Sequence, residues 1–140
     1  PPEFLVPVTA YQNSQFDTLA YCSTPECVAI VKAEGFTRQR DVIGHVVAPT
    51  LAALTAARQA CPEINFPPLG FFKKRRGYQH DLHGRGRLVG YTPYEGACGA
   101  TKAMHAYSPA AGGDNILYLT RNPGSRWNIR HGGRTVFHVW

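Results

Sequence analysis

The stretch Asn115-Ile116-Leu117-Tyr118-Leu119-Thr120 sets Ile116, Tyr118 and Thr120 against Leu117 and Leu119. That period of two marks a strand, because successive side chains project to opposite faces. The same alternation runs through Arg87–Tyr91, 102–107, 127–131 and 135–139. Turn clusters separate these segments: Gly96-Ala97-Cys98-Gly99, residues 109–113, Asn122-Pro123-Gly124 and Gly132-Gly133. Strands spaced this closely are most simply joined as antiparallel neighbours.

Upstream the period lengthens to that of a helix. Ser23-Thr24-Pro25-Glu26 offers a hydroxyl cap with Pro in the first turn, and Gly35 suits the far end. Pro49 and Thr50 open a second Ala- and Leu-rich segment, Leu51–Ala60, which Pro62 closes. Residues 4–9 suit a short edge strand, since Pro7 cannot donate to a central ladder. Residues 65–70 read as a loop. Helices first and strands afterwards predict an α+β fold, with N-terminal helices packed on a four- to five-stranded antiparallel sheet. One domain over residues 1–140 is expected, with a helical part at about 24–62 and a basic sheet at about 78–140.

Composition narrows the class. The chain has 140 residues, 44% hydrophobic and 17% charged, enough to bury a core and too apolar to be disordered. No apolar run approaches the ~20 residues of a membrane-spanning helix, and no solenoid repeat is present. The net charge of +6 points to a polyanionic partner. Its distribution is uneven. Residues 1–72 carry four basic and six acidic side chains, while residues 73–140 carry eleven basic and three acidic ones. Five of the six histidines also lie beyond residue 79.

Four cysteines, Cys22, Cys27, Cys61 and Cys98, do not have zinc-site spacing. Two disulfides in a secreted protein are expected, and three pairings are open. Cys27 with Cys61 would staple the two helices, and Cys22 with Cys98 would tie the N-terminal region to the sheet. No signal peptide is visible, so an exported protein would be present here in mature or trimmed form.

Residues 73–87 are the most loaded segment. They hold Lys73, Lys74, Arg75, Arg76, Arg85 and Arg87 with Tyr78, His80 and His83. Basic side chains neutralise phosphates, and Tyr or His can stack on unpaired bases. His80, Asp81 and His83 together also offer two imidazoles and a carboxylate to a metal, without a third ligand at a diagnostic spacing. Among the other histidines, His105 lies mid-strand between small residues. His131 ends a strand at a Gly-Gly turn, a rim position, whereas apolar neighbours give His138 a structural role.

Several of these residues form a pattern. Residues 113–118, then Gly124, then Ile129-Arg130-His131-Gly132-Gly133, then Val136-Phe137 resemble the ends of secreted microbial guanyl-specific ribonucleases, the barnase and sarcin-like group. Tyr78-Gln79-His80 is similar to the tyrosine-x-histidine pair of its fungal members. The resemblance covers about half the chain. It implies a helix on an antiparallel sheet and a histidine general acid before a Gly-containing turn, the position of His131. Near the family's catalytic glutamate stands His105, which leaves His105 or Glu95 to serve. Asn115 occupies the expected arginine position, leaving Arg121 or Arg130 as substitutes.

The chemistry also follows from the groups themselves. Attack by the 2′-hydroxyl of RNA needs a base, an acid for the leaving 5′-oxygen, and cations for the phosphorane. Histidine can fill either proton-transfer role and Arg grips phosphate oxygens in two places. His105 or His80 would be the base and His131 the acid. Arg121 and Arg130 would clamp the phosphate, and Tyr78 would donate to it or stack. Neither metal nor organic cofactor is required. The expected function is therefore a secreted basic endoribonuclease or ribonuclease-type toxin. RNA would be its partner, a cognate protein inhibitor a further candidate partner, and the chain a monomer.

Two other classes compete. A non-catalytic secreted effector would bind RNA or another polyanion through the basic face, with steep salt dependence and no turnover. A metal-dependent nuclease would centre on His80, Asp81 and His83. Gly84-Arg85-Gly86 is too short a motif for nucleotide binding. Ser108 and Ser125 lack the nucleophile-elbow context of a Ser/His/Asp hydrolase.

Overall fold

The computed structural model describes residues 2–13, 18–74, 77–112 and 116–140, with the backbone alone at residue 41. Ten strands and two α-helices follow in the order β1 (Leu5–Gln12), β2 (Leu19–Cys22), α1 (Pro25–Ala33), β3 (Arg38–Val47), α2 (Leu51–Ala60), β4 (Pro68–Lys74), β5 (Gly77–Asp81), β6 (Arg87–Tyr91), β7 (Lys102–Pro109), β8 (Leu117–Leu119), β9 (Trp127–Ile129) and β10 (Phe137–Val139). The strands form two antiparallel sheets. The expected α+β arrangement, with N-terminal helices packed on one four- to five-stranded sheet, is overturned. The fold is mostly antiparallel β.

Three strands account for the difference. β3, the longest, runs between the helices through the stretch read as helical. Its polar start, Arg38-Gln39-Arg40, and the glycine at 44 hide the β-branched run that makes it a strand. β4 opens at Pro68 in a stretch read as loop, and β5 lies inside the basic segment. Nor is β1 an edge strand, because β2 and β3 flank it. β2 pairs only with Thr9 to Gln12, so Pro7 lies beyond its reach and its missing N–H is tolerated.

The six-stranded sheet has the order β2-β1-β3-β6-β4-β5. It curls until its two edges meet. The Thr18 hydroxyl donates to the Tyr78 carbonyl (3.0 Å), and the Tyr21 N–H donates to His80 Nε2 (3.3 Å). The seam is thus closed by side chains rather than by a backbone ladder. In the smaller sheet β7 pairs with β8 along one edge and with β9 and then β10 along the other. β10 joins the sheets, since His45 and Trp140 exchange backbone hydrogen bonds of 2.8 and 3.0 Å. Val8, Tyr21, Phe71 and Val89 share one core with Met104, Phe137 and Val139. Val47, Leu54, Ala57 and Phe66 make a smaller one under α2.

Both helices start where their sequences indicate. Thr24 and Thr50 cap them by accepting from the Cys27 and Ala53 N–H groups. Gly35 takes a positive φ of 94° after α1, and Phe36 N–H bonds back to the Val31 carbonyl, which satisfies an end carbonyl of the helix. The disulfides are Cys22–Cys27 and Cys61–Cys98, so neither suggested pairing, Cys27 with Cys61 or Cys22 with Cys98, forms. α1 begins directly after β2, which brings the Cα atoms of Cys22 and Cys27 to 5.5 Å. β3 separates the helices in the chain, and Cys27 and Cys61 pack in different cores. Two disulfides suit an exported protein. No helix among the described residues is long and apolar enough to cross a membrane.

Candidate nucleic-acid interface

β8 is a wall between two basic clefts. Leu117 and Leu119 line the first, while Ile116 and Tyr118 line the second, as the alternation in the sequence indicates; Thr120, expected on the Tyr118 face, instead lines the first cleft, because β8 ends at Leu119. The first cleft, about 820 Å³, is open and lies between the sheets. Ala10, Arg40 and Val42 come from the larger sheet, and Lys102, His105 and Trp127 from the smaller one. Arg121 and Arg126 reach it from the segment that joins β8 to β9. No carboxylate side chain appears among its described lining residues. Four cations and an imidazole gathered in one cleft make an anion-attracting trough.

His105 is half-buried in that trough, and its Nδ1 is enclosed without a hydrogen-bond partner among the described residues. Burial of Nδ1 leaves Nε2 as the ring's remaining polar atom for a ligand. Opposite His105 the ladder is interrupted. Tyr107 aligns with Ile129 and Met104 with Phe137, so three steps along β7 face eight along the returning chain. Five residues are therefore looped out at the level of His105 and Ala106. The turn His131–Gly133 sits in this loop, with His131 at a φ of 57°. His131 is exposed and lines neither cleft.

The second cleft, about 750 Å³, lies against the outer face of β4 and β5. Lys74, Arg85 and Arg130 line it together with Asp81, His83 and Tyr118. The Asp81 carboxylate is engaged, accepting from the Arg85 guanidinium and from the backbone N–H groups of His83 and Arg85. Burial alone would raise its pKa. The Arg85 and backbone hydrogen bonds outweigh that and hold it below the usual carboxylate range. The Arg85 guanidinium also lies 4.8 Å from the centre of the Phe72 ring. Burial raises the Tyr118 pKa; the Asp81 charge adds to that shift and the Arg130 charge opposes it.

Other expected site residues serve the fold. His80 is buried between Tyr21 and Phe71, with ring centres 4.1 and 5.7 Å away. Burial lowers its pKa to about 3 despite the neighbouring Asp81 charge, so the ring stays neutral. Its Nε2 is already an acceptor, His83 is exposed, and no cluster of three metal-ligating side chains occurs among the described residues. Tyr78 is buried, its hydroxyl donating to Glu34, and burial together with that carboxylate raises its pKa. Lys73 pairs with the same Glu34 at 3.6 Å. Glu95 and Arg87 are exposed and line neither cleft. Arg75 and Arg76 lie outside the described residues. His138 is structural, its Nδ1 lying 3.0 Å from the Tyr94 carbonyl.

The first cleft therefore keeps His105 and Arg121 from the expected set and the second keeps Lys74, Arg85, Arg130 and one edge of the otherwise buried His80. Arg40, Lys102, Arg126 and Trp127 belong to no motif in the sequence that marks them as site residues. The alternation of 127–131 did carry a signal, since it sets Trp127 and Arg130 on opposite faces, and they line opposite clefts. No family model, no curated protein and no solved structure matches the chain. The ribonuclease resemblance rests on its short motifs alone.

Proposed function

We propose that the chain is a secreted module that binds single-stranded RNA along the first cleft. The observation that carries this reading is the lining itself: Arg40, Lys102, Arg121 and Arg126 around His105 and Trp127, with no carboxylate among the described lining side chains. Cations track a phosphate backbone, and an indole gives unpaired bases a stacking surface. The test is titration of a single-stranded RNA oligomer at several salt concentrations. Four phosphate contacts predict a log–log salt slope near about −3, and Arg121→Ala should flatten it by about 0.7. A slope near zero, or one that Arg121→Ala leaves unchanged, overturns the reading.

A second reading, metal-independent cleavage of the bound strand, is supported by His105 in the trough and by the looped-out His131 turn. That turn lies at the level of His105 along β7 although outside the cleft lining, so the strand would have to pass over the cleft rim to meet both. There His105 would take the 2′-hydroxyl proton and His131 would protonate the leaving 5′-oxygen. Chelator-insensitive fragments ending in a 2′,3′-cyclic phosphate would establish it, with losses of about a hundredfold or more in His105→Ala and His131→Ala. Intact RNA under saturating binding leaves the binding module.

A further inference from the structure

We infer that the first cleft prefers RNA whose bases carry a carbonyl oxygen where adenine and cytosine carry an amine, as uracil and guanine do, and that Asn122 reads that oxygen. The inference rests on the proposed binding of RNA in this trough. Asn122 is exposed, lines the trough, and engages one end of its amide within the chain: its Oδ1 accepts from the Gly124 N–H at 2.9 Å. That bond fixes which end is occupied and leaves Nδ2, a pure donor, for a ligand. The other neutral polar side chains that line the trough do not discriminate. Thr18 is buried with its hydroxyl donated to the Tyr78 carbonyl, while the Gln12 amide and the Thr120 hydroxyl offer donor and acceptor alike.

The stacking surface is held by the same turn. Trp127 N–H donates to the Gly124 carbonyl at 3.1 Å, so Asn122 holds the N–H of that glycine and Trp127 its carbonyl. Pro123 restricts the backbone between them, and β9 fastens Trp127 to β7 through its register with Pro109. A base lying on the indole therefore meets a donor positioned by the same short loop. An exocyclic oxygen can accept from Nδ2, whereas an amine at that place sets donor against donor.

The test is titration of the intact protein with oligouridylate and oligocytidylate RNA of equal length, which carry the same phosphates and differ at this position of the ring. Oligouridylate should bind about fivefold more tightly. Asn122→Asp keeps an oxygen for the Gly124 N–H but presents an acceptor in place of the donor, so the preference should invert toward cytosine. Its added charge weakens both oligomers alike, and the ratio of their affinities is the readout. Arg121→Ala should weaken both and leave the ratio unchanged. Equal affinities in the unaltered protein, or a preference for uracil that survives in Asn122→Asp, overturns the inference and leaves the trough reading standing. Saturable binding of neither oligomer would instead overturn the trough reading, and this inference with it.

Discussion

Two imidazoles in this chain meet opposite surroundings. His105 presents a ring to an open basic trough, while His80 is enclosed by aromatic rings and its Nε2 is already accepting a backbone N–H. The His80 environment has a pH signature. Its folded pKa of about 3 lies below the ordinary 6.5, so between those values the unfolded chain binds a proton that the folded chain refuses. Stability therefore falls as the pH drops through this window and is flat above it as far as His80 is concerned, with a slope of up to about 1.4 kcal/mol per pH unit. The Asp81 carboxylate titrates below its usual range and adds its own loss only in stronger acid. Urea unfolding at pH 7 and pH 4.5 checks this: His80→Gln should flatten the difference, and an unchanged difference would remove His80 as its source.

Among the elements, β10 and the terminal Trp140 fasten the smaller sheet to β3. Gly44 makes this possible. It has a φ of 152°, and a Cβ there would stand 2.5 Å from Val139 Cγ2 and 2.8 Å from the Trp140 carbonyl oxygen. Both the backbone conformation and the space exclude a side chain. Gly44→Ala should therefore cost about 1–3 kcal/mol, read as a lowered urea midpoint. An unaffected midpoint would mean that the sheets can part there at no cost.

The element scale also shows what the sequence could and could not reveal. Thr24 and Thr50 announced both helices because caps are local chemistry, satisfied within three residues. The two-residue period at 117–119 announced β8 and correctly separated its leucines from Tyr118. β3 was hidden because its β-branched residues are broken up by the polar start and Gly44, and its long pairing with β1, which local propensity does not contain, holds the whole stretch extended. For the same reason Arg40 was not legible as a trough residue. Its place beside Lys102 and Arg121 follows from how two sheets meet, and Tyr78 and His80 read as reactive only until the Glu34 and Tyr21 contacts claim them.

For the whole molecule, the disulfides divide the stabilising work unequally. Cys61–Cys98 closes 37 residues of chain and Cys22–Cys27 only five. Chain-entropy arguments give about 4 kcal/mol for the long loop and about 2 kcal/mol for the short one. Cys61→Ser/Cys98→Ser should thus lower the thermal midpoint more than Cys22→Ser/Cys27→Ser, as calorimetry can show. The reverse order would mean that native-state packing around Cys22 outweighs loop length.

The way the larger sheet closes has a dynamic consequence. Five of its six junctions are laced by main-chain ladders, while at the sixth the Thr18 hydroxyl and the His80 ring bridge to the facing strand. Such a cylinder breathes along that line before anywhere else on its circumference. In heavy water the amide of Tyr21 would trade its proton for deuterium well ahead of those in β1 and β3, and mild acid, by protonating the imidazole each time the seam opens, would widen the gap.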